Sequence, residues 1–379
     1  MAGPGKQRRR APGKPLGLRV TIVTPAPEGS RAGNRVTAQR IARLLRALGH
    51  RPSIVNRFED PRAELAIVLH AARGAEAVRR ARASRPGLPI VVVLTGTDIH
   101  APGGLSRRAR RALELADAIV GLQSHSVREL PASLRHKARV ILQSYDGPNL
   151  RHRAPVRAKT GTRLSPGARR VVHGFVVLGH LRAEKDPFLP ARALRRIPHT
   201  LPVRVRQAGK ALTASMAVRA RREARLDSRY EWLGELPRSQ ALRLLAGSRA
   251  LILPSRVEGG PSVLSEAVAL GVPVLASAIP QVVALLTTRH PGLFPAGSAA
   301  ALAALMERTA RDPSFEKRLA AASRRLGPRF APLRERRAWE RLIADVTLRR
   351  AVNGRRTNPA ASRKSRAAQA RRRSAGRAR

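Results

Sequence analysis

Apolar runs of strand length alternate with longer segments of helical spacing over most of the chain. "LRVTIVTP" (18–25) reads as a buried strand, and after the loop "APEGSRAGN" comes "RVTAQRIARLLRALGH" (35–50). There Val36, Ile41, Leu44, Leu45 and Leu48 recur at helical spacing, and Gly49 supplies the stop. The same unit returns as "VVHGFVVLG" (171–179), the loop "HLRAEKDP" and the helix-like "FLPARALRRI". Between them lie the short apolar strands "LAIVLH" (65–70), "PIVVVLTGTD" (89–98), "AIVGLQ" (118–123) and "ARVILQS" (138–144). Beyond residue 179 come "PVRVRQAG" (202–209), "EWLGEL" (231–236), "ALILPS" (250–255) and "VPVLAS" (272–277), again with helices between. Strands alternating with helices imply α/β architecture, with parallel sheets flanked by helices on both faces.

The stretch 147–168, "GPNLRHRAPVRAKTGTRLSPGA", is polar, rich in Pro and Gly and without period. It reads as a linker between two doubly wound halves. In open α/β sheets ligands lie beyond the carboxyl ends of the strands, so the cleft between two facing sheets is the expected site. The last helical stretch, "SFEKRLAAASRRLGPRFAPLRERRAWERLIADVTLRR", closes the fold.

At 379 residues there is room for two ordinary cores. Hydrophobic residues at 43% and charged ones at 26% are globular proportions, while aromatics at 3% leave the cores to Ala, Leu, Val and Ile. The chain has no cysteine, which excludes disulfides, thiolate catalysis and zinc–thiolate sites. Its longest apolar runs, such as "LPIVVVL" (88–94), are strand-sized, so no membrane span is expected. The N-terminus "MAGPGKQRRRAPGKPLG" has no apolar segment behind its charges, and the expected location is cytoplasmic.

The net charge of +51 is spread along the chain. Setting aside five cations in residues 1–15 and ten in residues 355–379 still leaves +36 for the middle. Such a field attracts phosphates, polyanions and anionic surfaces. Arg outnumbers Lys and Ala is abundant, which equally fits a compositional background. The tails read as disordered basic arms. Nucleic-acid contact through them is the reading of another class, and scarce aromatics argue against base readout.

Four places carry candidate chemistry. In "EGGPSVLSEA" (258–267), Gly259 and Gly260 make a poor helix interior, so Glu258 sits on a loop after a strand. Pro261 suits the first helical position and Gly271 the place after the last turn, giving a helix over roughly 261–270 with Glu266 in its second turn. Free amides of Gly259, Gly260, Ser262 and Val263 at that helix start suit an anion. A carboxylate suits vicinal sugar hydroxyls, although acids at a positive helix end also occur as simple decoration. In "GHLRAEKDP" (179–187), Arg182 and Lys185 present two cations beside a glycine turn, chemistry suited to a diphosphate leaving group. In "TPAPEGSRAGNRVTAQR" (24–40), Ser30, Gly33, Asn34 and Thr37 suit helix capping or phosphate binding, and Arg31 and Arg35 suit an anionic acceptor. In "LTGTDIH" (94–100), Thr97 and Asp98 end a strand; Asp98 is a general base or sugar-hydroxyl ligand on one reading and a cap on the other. His70 also ends a strand, as an acceptor-site residue or a structural one.

"SRVEGGPSVLSEAVALGVPVLAS" resembles the donor-binding segment of GT-B glycosyltransferases, Glu-x7-Glu followed by Gly-Val-Pro-Val. The resemblance implies two Rossmann-like domains facing across a cleft, with the nucleotide-sugar mainly on the second. It places Glu266 on the ribose hydroxyls, and Glu258 and the following amides near the donor sugar and diphosphate. It makes Arg182 and Lys185 the counter-charges of the leaving group. The implied organisation is a basic arm at 1–15, an acceptor-side domain at 16–160, a nucleotide-sugar domain at 161–335, a closing helix at 336–354 and a basic tail at 355–379. "VTPAPEGSRAGNRVTAQRIARLLRALGH", "LHAARGAEAVRR", "LTGTDIH", "LGHLRAEKDPF" and "EWLGELPRSQALRLLAGSRALILPSRVEGG" together look like the selenosugar synthases of selenoneine biosynthesis, over about residues 18–300. That implies transfer of GlcNAc or glucose from a UDP-sugar to selenophosphate, with no cofactor. The sequence has no Asp-x-Asp metal motif, and no metal is expected in the transfer. It departs from the pattern in its basic extensions and in "GGPSV", where Asn is expected near the proline.

Overall fold

A computed structural model describes residues 17–100, 103–147 and 173–357. The arm at 1–15, the linker 147–168 from residue 148 on with the domain boundary at 160, and the tail 355–379 from residue 358 on lie outside the described residues.

The first half forms a six-stranded parallel sheet in the order β2-β1-β3-β4-β5-β6. Its strands are β1 (Arg19–Val23), β2 (Arg51–Val55), β3 (Leu65–Leu69), β4 (Ile90–Leu94), β5 (Ala118–Gly121) and β6 (Ala138–Val140). The second half repeats the plan in the order β12-β11-β10-β7-β8-β9. These strands are β7 (His173–Leu178), β8 (Val203–Ala208), β9 (Tyr230–Trp232), β10 (Ala250–Leu253), β11 (Val274–Ser277) and β12 (Leu293–Phe294). Both doubly wound sheets of the expected α/β fold are therefore present. All the ladders are parallel; Val20 faces Leu65 across β1 and β3, and Ala66 faces Ile90 across β3 and β4.

Central strands covered on both faces must be apolar at every position. β3 and β4 are buried throughout, and alternate residues feed opposite cores. Ala66 and Val68 join Val78, Leu113 and Leu130 on one face, while Leu65, Ile67 and Leu69 join Ile41 and Leu45 on the other. The second sheet does the same, with Leu264, Val268 and Leu285 on one side and Leu189, Leu302 and Leu319 on the other.

Four strands depart from the sequence reading, each at a sheet edge: the two-residue β12 (Leu293–Phe294) was not expected, and three others have local causes. β2 was not expected, because "RPSIV" is only half-buried and carries Pro52; it is an edge strand, where a missing N–H costs little. "EWLGEL" yields a strand only at Tyr230–Trp232, the opposite edge of the second sheet, and "ARVILQS" only at Ala138–Val140. At both edges one neighbour is missing, so the ladder ends early.

The closing helix runs Pro332–Thr357 and packs on the first sheet. Trp339, Leu342, Ile343 and Val346 follow a helical stripe into the core of β1 and β3. At its start the carboxylate of Glu335 pairs with the Arg40 guanidinium and accepts the Ser144 amide and hydroxyl at 2.7 and 2.6 Å. The chain thus crosses to the second sheet and returns to the first.

Candidate functional site

β10 delivers its carboxyl end to Pro254 and Ser255, and the chain then turns through Glu258, Gly259 and Gly260 into the helix Ser262–Leu270. Glu258 is buried; its Oε1 accepts from Lys185 Nζ and Ser255 Oγ, each at 2.5 Å. Among the described residues no partner faces its Oε2, which leaves one oxygen for a ligand. Pro261 precedes the helix without a side-chain cap, so the first amides remain open. Gly271 ends it at φ 70°, the left-handed turn expected there.

Glu266 lies on the buried face of that helix. Arg238 Nη2 stands 2.8 Å from its Oε1, but out of line for a hydrogen bond, so that oxygen keeps acceptor capacity. Burial raises the Glu266 carboxyl above the usual range, and the Arg238 and Arg40 charges pull the other way.

The loop after β7 is zipped to the loop after β10. Arg256 and Val257 donate their amides to the Glu184 carbonyl at 2.8 and 3.3 Å. The Arg256 guanidinium pairs with Asp186 at 3.1 Å, and Arg192 holds the other oxygen at 3.2 Å. Asp186 itself is left-handed at φ 38°, a conformation these two cations pin. Half-buried Lys185 thereby reaches Glu258, 73 residues on, and half-buried Arg182 opens the same turn.

The first sheet faces this loop pair across a narrow seam. A Cβ on Gly259 would lie 2.2 Å from the Thr95 carbonyl oxygen, and one on Gly96 2.6 Å from the Gly259 nitrogen. The two halves therefore meet backbone to backbone at the ends of β4 and β10. Beside this seam the His180 ring meets the Arg31 backbone, while its Nδ1 accepts the Lys210 amide at 3.1 Å. Burial lowers the His180 pKa.

Around that seam the first half contributes a constrained group. Asp98 is buried, and its carboxylate accepts the amides of Thr95, Gly96 and Ala71 at 2.8–3.2 Å. The carboxylate ties the turn after β4 to the loop after β3, and the amides it takes precede it or lie on that loop, not on the segment that follows. His70 sits at φ 70°, an uncommon backbone for a residue with a side chain. Its Nδ1 accepts the Arg73 amide at 3.3 Å, so Nε2 carries the proton toward Thr97 Oγ1 at 3.1 Å. Burial lowers its pKa, with the Asp98 charge opposing.

The helix Gly33–Ala47 begins without a side-chain cap or an acid in its first turn. Arg35 is buried there with Nε unpartnered, and its nearest acid, exposed Glu28, is 3.7 Å away. Ser30 Oγ accepts the Ala32 amide at 3.0 Å, which shapes the turn. Arg31 and Gly33 are exposed and Asn34 is half-buried. Thr37, expected at the acceptor site, is instead buried one turn on, with Gln143 Nε2 3.3 Å from its hydroxyl.

Residues 173–326 match the family described as glycosyl transferases group 1. The match spans the second sheet and the helices around it. The protein is accordingly a transferase enzyme. Its fold resembles Anabaena HepE, solved with UDP and glucose, at a TM-score of 0.67 and 17% identity over 86% of this chain and 100% of that one. It likewise resembles the sucrose-phosphate synthase of Thermosynechococcus elongatus, with a TM-score of 0.65 and 16% identity over 86% and 100%. For an α,α-trehalose-phosphate synthase (UDP-forming) from Burkholderia vietnamiensis the values are 0.60 and 13%, over 85% and 78%. These likenesses establish the GT-B fold for both halves.

Four residues around the candidate site carried no signal in the sequence reading: Ser255, Arg238, His180 and Gly96. Arg238, His180 and Gly96 meet partners distant along the chain, Ser255 meets Glu258 only three residues on, and none stands in a periodic or spaced pattern. Among the described residues no helix is long and apolar enough to cross a membrane.

Proposed function

We propose that this glycosyltransferase moves a hexose, GlcNAc or glucose, from a UDP-sugar to selenophosphate, forming the carbon–selenium bond of a selenosugar in the cytoplasm. The observation that carries the donor half is the zipped loop pair, which joins the Arg182–Lys185 turn, through Lys185 and Glu258, to the loop that leads into an uncapped helix start. Cations and helix amides stabilise the charge that develops on a departing diphosphate. Glu266, with unmet acceptor capacity beside Arg238, takes the ribose hydroxyls, and the open Oε2 of Glu258 takes a hydroxyl of the donor sugar. The bound UDP and glucose of the HepE structure support the same reading.

The acceptor half rests on Arg35, a buried guanidinium at the open start of helix Gly33–Ala47 whose recorded acid is the exposed Glu28 at 3.7 Å and whose Nε has no partner. With exposed Arg31 it suits a small, highly charged anion. A selenium lone pair attacks the anomeric carbon as the bond to the diphosphate oxygen breaks, and the bonding pair leaves on UDP. Such a nucleophile needs positioning by cations more than deprotonation, which agrees with Asp98 being committed to three amides.

Incubating the full chain with UDP-GlcNAc or UDP-glucose and selenophosphate tests the assignment by mass spectrometry. UDP is expected in equal amount with the hexosyl selenophosphate, or with the selenosugar and orthophosphate that water releases from it by cleaving the Se–P bond. Transfer instead to a thiol, an alcohol or a lipid-linked sugar would keep the donor assignment and overturn the acceptor.

A further inference from the structure

Two residues beyond Asp98 the chain brings His100 beneath the short helix Ser124–Arg128. The His100 side chain is 1% exposed, His125 19% and Glu129 35%. Glu129 stands between the two imidazoles, with Oε2 2.5 Å from His100 Nδ1 and Oε1 2.6 Å from His125 Nε2. The two rings stack at 5.6 Å with an interplanar angle of 19°, and the three donor groups lie within 4.8 Å of one another. None of these residues belongs to the donor or acceptor positions described above.

From this arrangement we infer a divalent transition-metal site made by His100 Nδ1, His125 Nε2 and Glu129. Two imidazoles and one carboxylate suit a borderline cation such as Zn²⁺, Co²⁺ or Ni²⁺, rather than Mg²⁺ or Ca²⁺, which prefer oxygen alone. Three protein ligands leave a position for water.

The surroundings of His100 support a ligand role. Its far nitrogen, Nε2, lies 3.2 Å from Ser126 Oγ and equally 3.2 Å from Gln123 Nε2, which donates to that same hydroxyl at 2.6 Å. Gln123 is itself oriented by the Ser126 amide, which donates to Oε1 at 3.0 Å. Gln123 and Ser126 are both buried. A fixed outer partner of this kind orients the ring and selects its tautomer. On binding, each neutral imidazole moves its proton to the nitrogen away from the cation; for His100 that N–H then donates to Ser126 Oγ.

The cation would bind the end of β4 to helix Ser124–Arg128. Both elements form the first half's side of the seam: Gly96 abuts Gly259, and Ser124 and Arg128 line a groove with Pro280, Val283 and Thr287. Its role is therefore to stiffen one wall of the cleft, separate from the chemistry of transfer.

Cobalt titration of the chelator-treated full chain, followed by visible absorption, tests the site. About one equivalent should bind with d–d bands of low coordination number, and Zn²⁺ should displace it. His125→Ala and Glu129→Gln should each weaken binding by at least about tenfold, while His136→Ala, outside the cluster, should not. Circular dichroism establishes that the variants are folded. Failure of the native chain to bind Co²⁺, or equal binding by folded His125→Ala, would overturn the site.

Discussion

Replacing Gly96 with alanine probes the seam between the two sheets directly. The new methyl meets two separate penalties. Gly96 has φ 117°, a conformation that strains any residue with a Cβ by about 1–3 kcal/mol. The methyl would also lie 2.6 Å from the Gly259 nitrogen and 2.8 Å from its Cα, so the halves must part by roughly 1 Å to restore ordinary contact. Misplacement on that scale between reacting groups costs up to roughly a hundredfold in rate. We therefore expect kcat/KM to fall by roughly 10–100-fold, or about 1.4–2.7 kcal/mol. Because the clash falls on Gly259, at the edge of the donor site, while Glu266 is anchored in its own helix, UDP affinity by calorimetry should fall less than kcat/KM. Gly103→Ala separates the two penalties: Gly103 is also left-handed, at φ 88°, but its Cβ would meet nothing within 4 Å. Gly103→Ala should lower the melting temperature with little change in kcat/KM. Full activity in Gly96→Ala, or an equal loss in Gly103→Ala, would refute the role of the seam.

Glu266→Ala should raise the KM for the UDP-sugar by about tenfold or more, because buried hydroxyls lose their acceptor; near-native donor affinity by calorimetry would remove Glu266 from the ribose. Glu335→Gln should destabilise the chain by about 3–5 kcal/mol in urea unfolding, because it leaves the Arg40 charge buried without its partner. Burial pushes the His290 pKa down to about 4, against about 6.5 in an unfolded chain. The unfolded state binds that proton first, so up to about 3 kcal/mol of stability is present above pH 6.5 and is lost as the pH falls from there through about 4. His290→Gln should flatten that slope in acid titrations of stability, and an unchanged slope would contradict it.

Local pattern alone specified the doubly wound halves. An all-apolar run such as "IVVVL" has few stable outcomes other than a strand covered on both faces, and the 3.6-residue spacing of "RVTAQRIARLLRAL" admits only one buried side. Gly259, Gly260, Pro261 and Gly271 likewise placed the helix Ser262–Leu270 to within a residue, since backbone preferences act over single turns. Edge strands were the weak point, because β2 and β9 are half-covered and lack a continuous apolar run. What surrounds the candidate charges was decided only by tertiary structure. Lys185 meets Glu258, Arg238 meets Glu266, and Glu335 meets Arg40 because sheet register and helix packing bring them together over 73, 28 and 295 residues. Asp98 and Thr37 show the same dependence within one half: Asp98 accepts the Gly96 amide and the Thr37 hydroxyl meets Gln143, 106 residues away. A sequence constrains dihedrals and periodicity residue by residue, whereas pairing between charges depends on where whole sheets come to rest against one another.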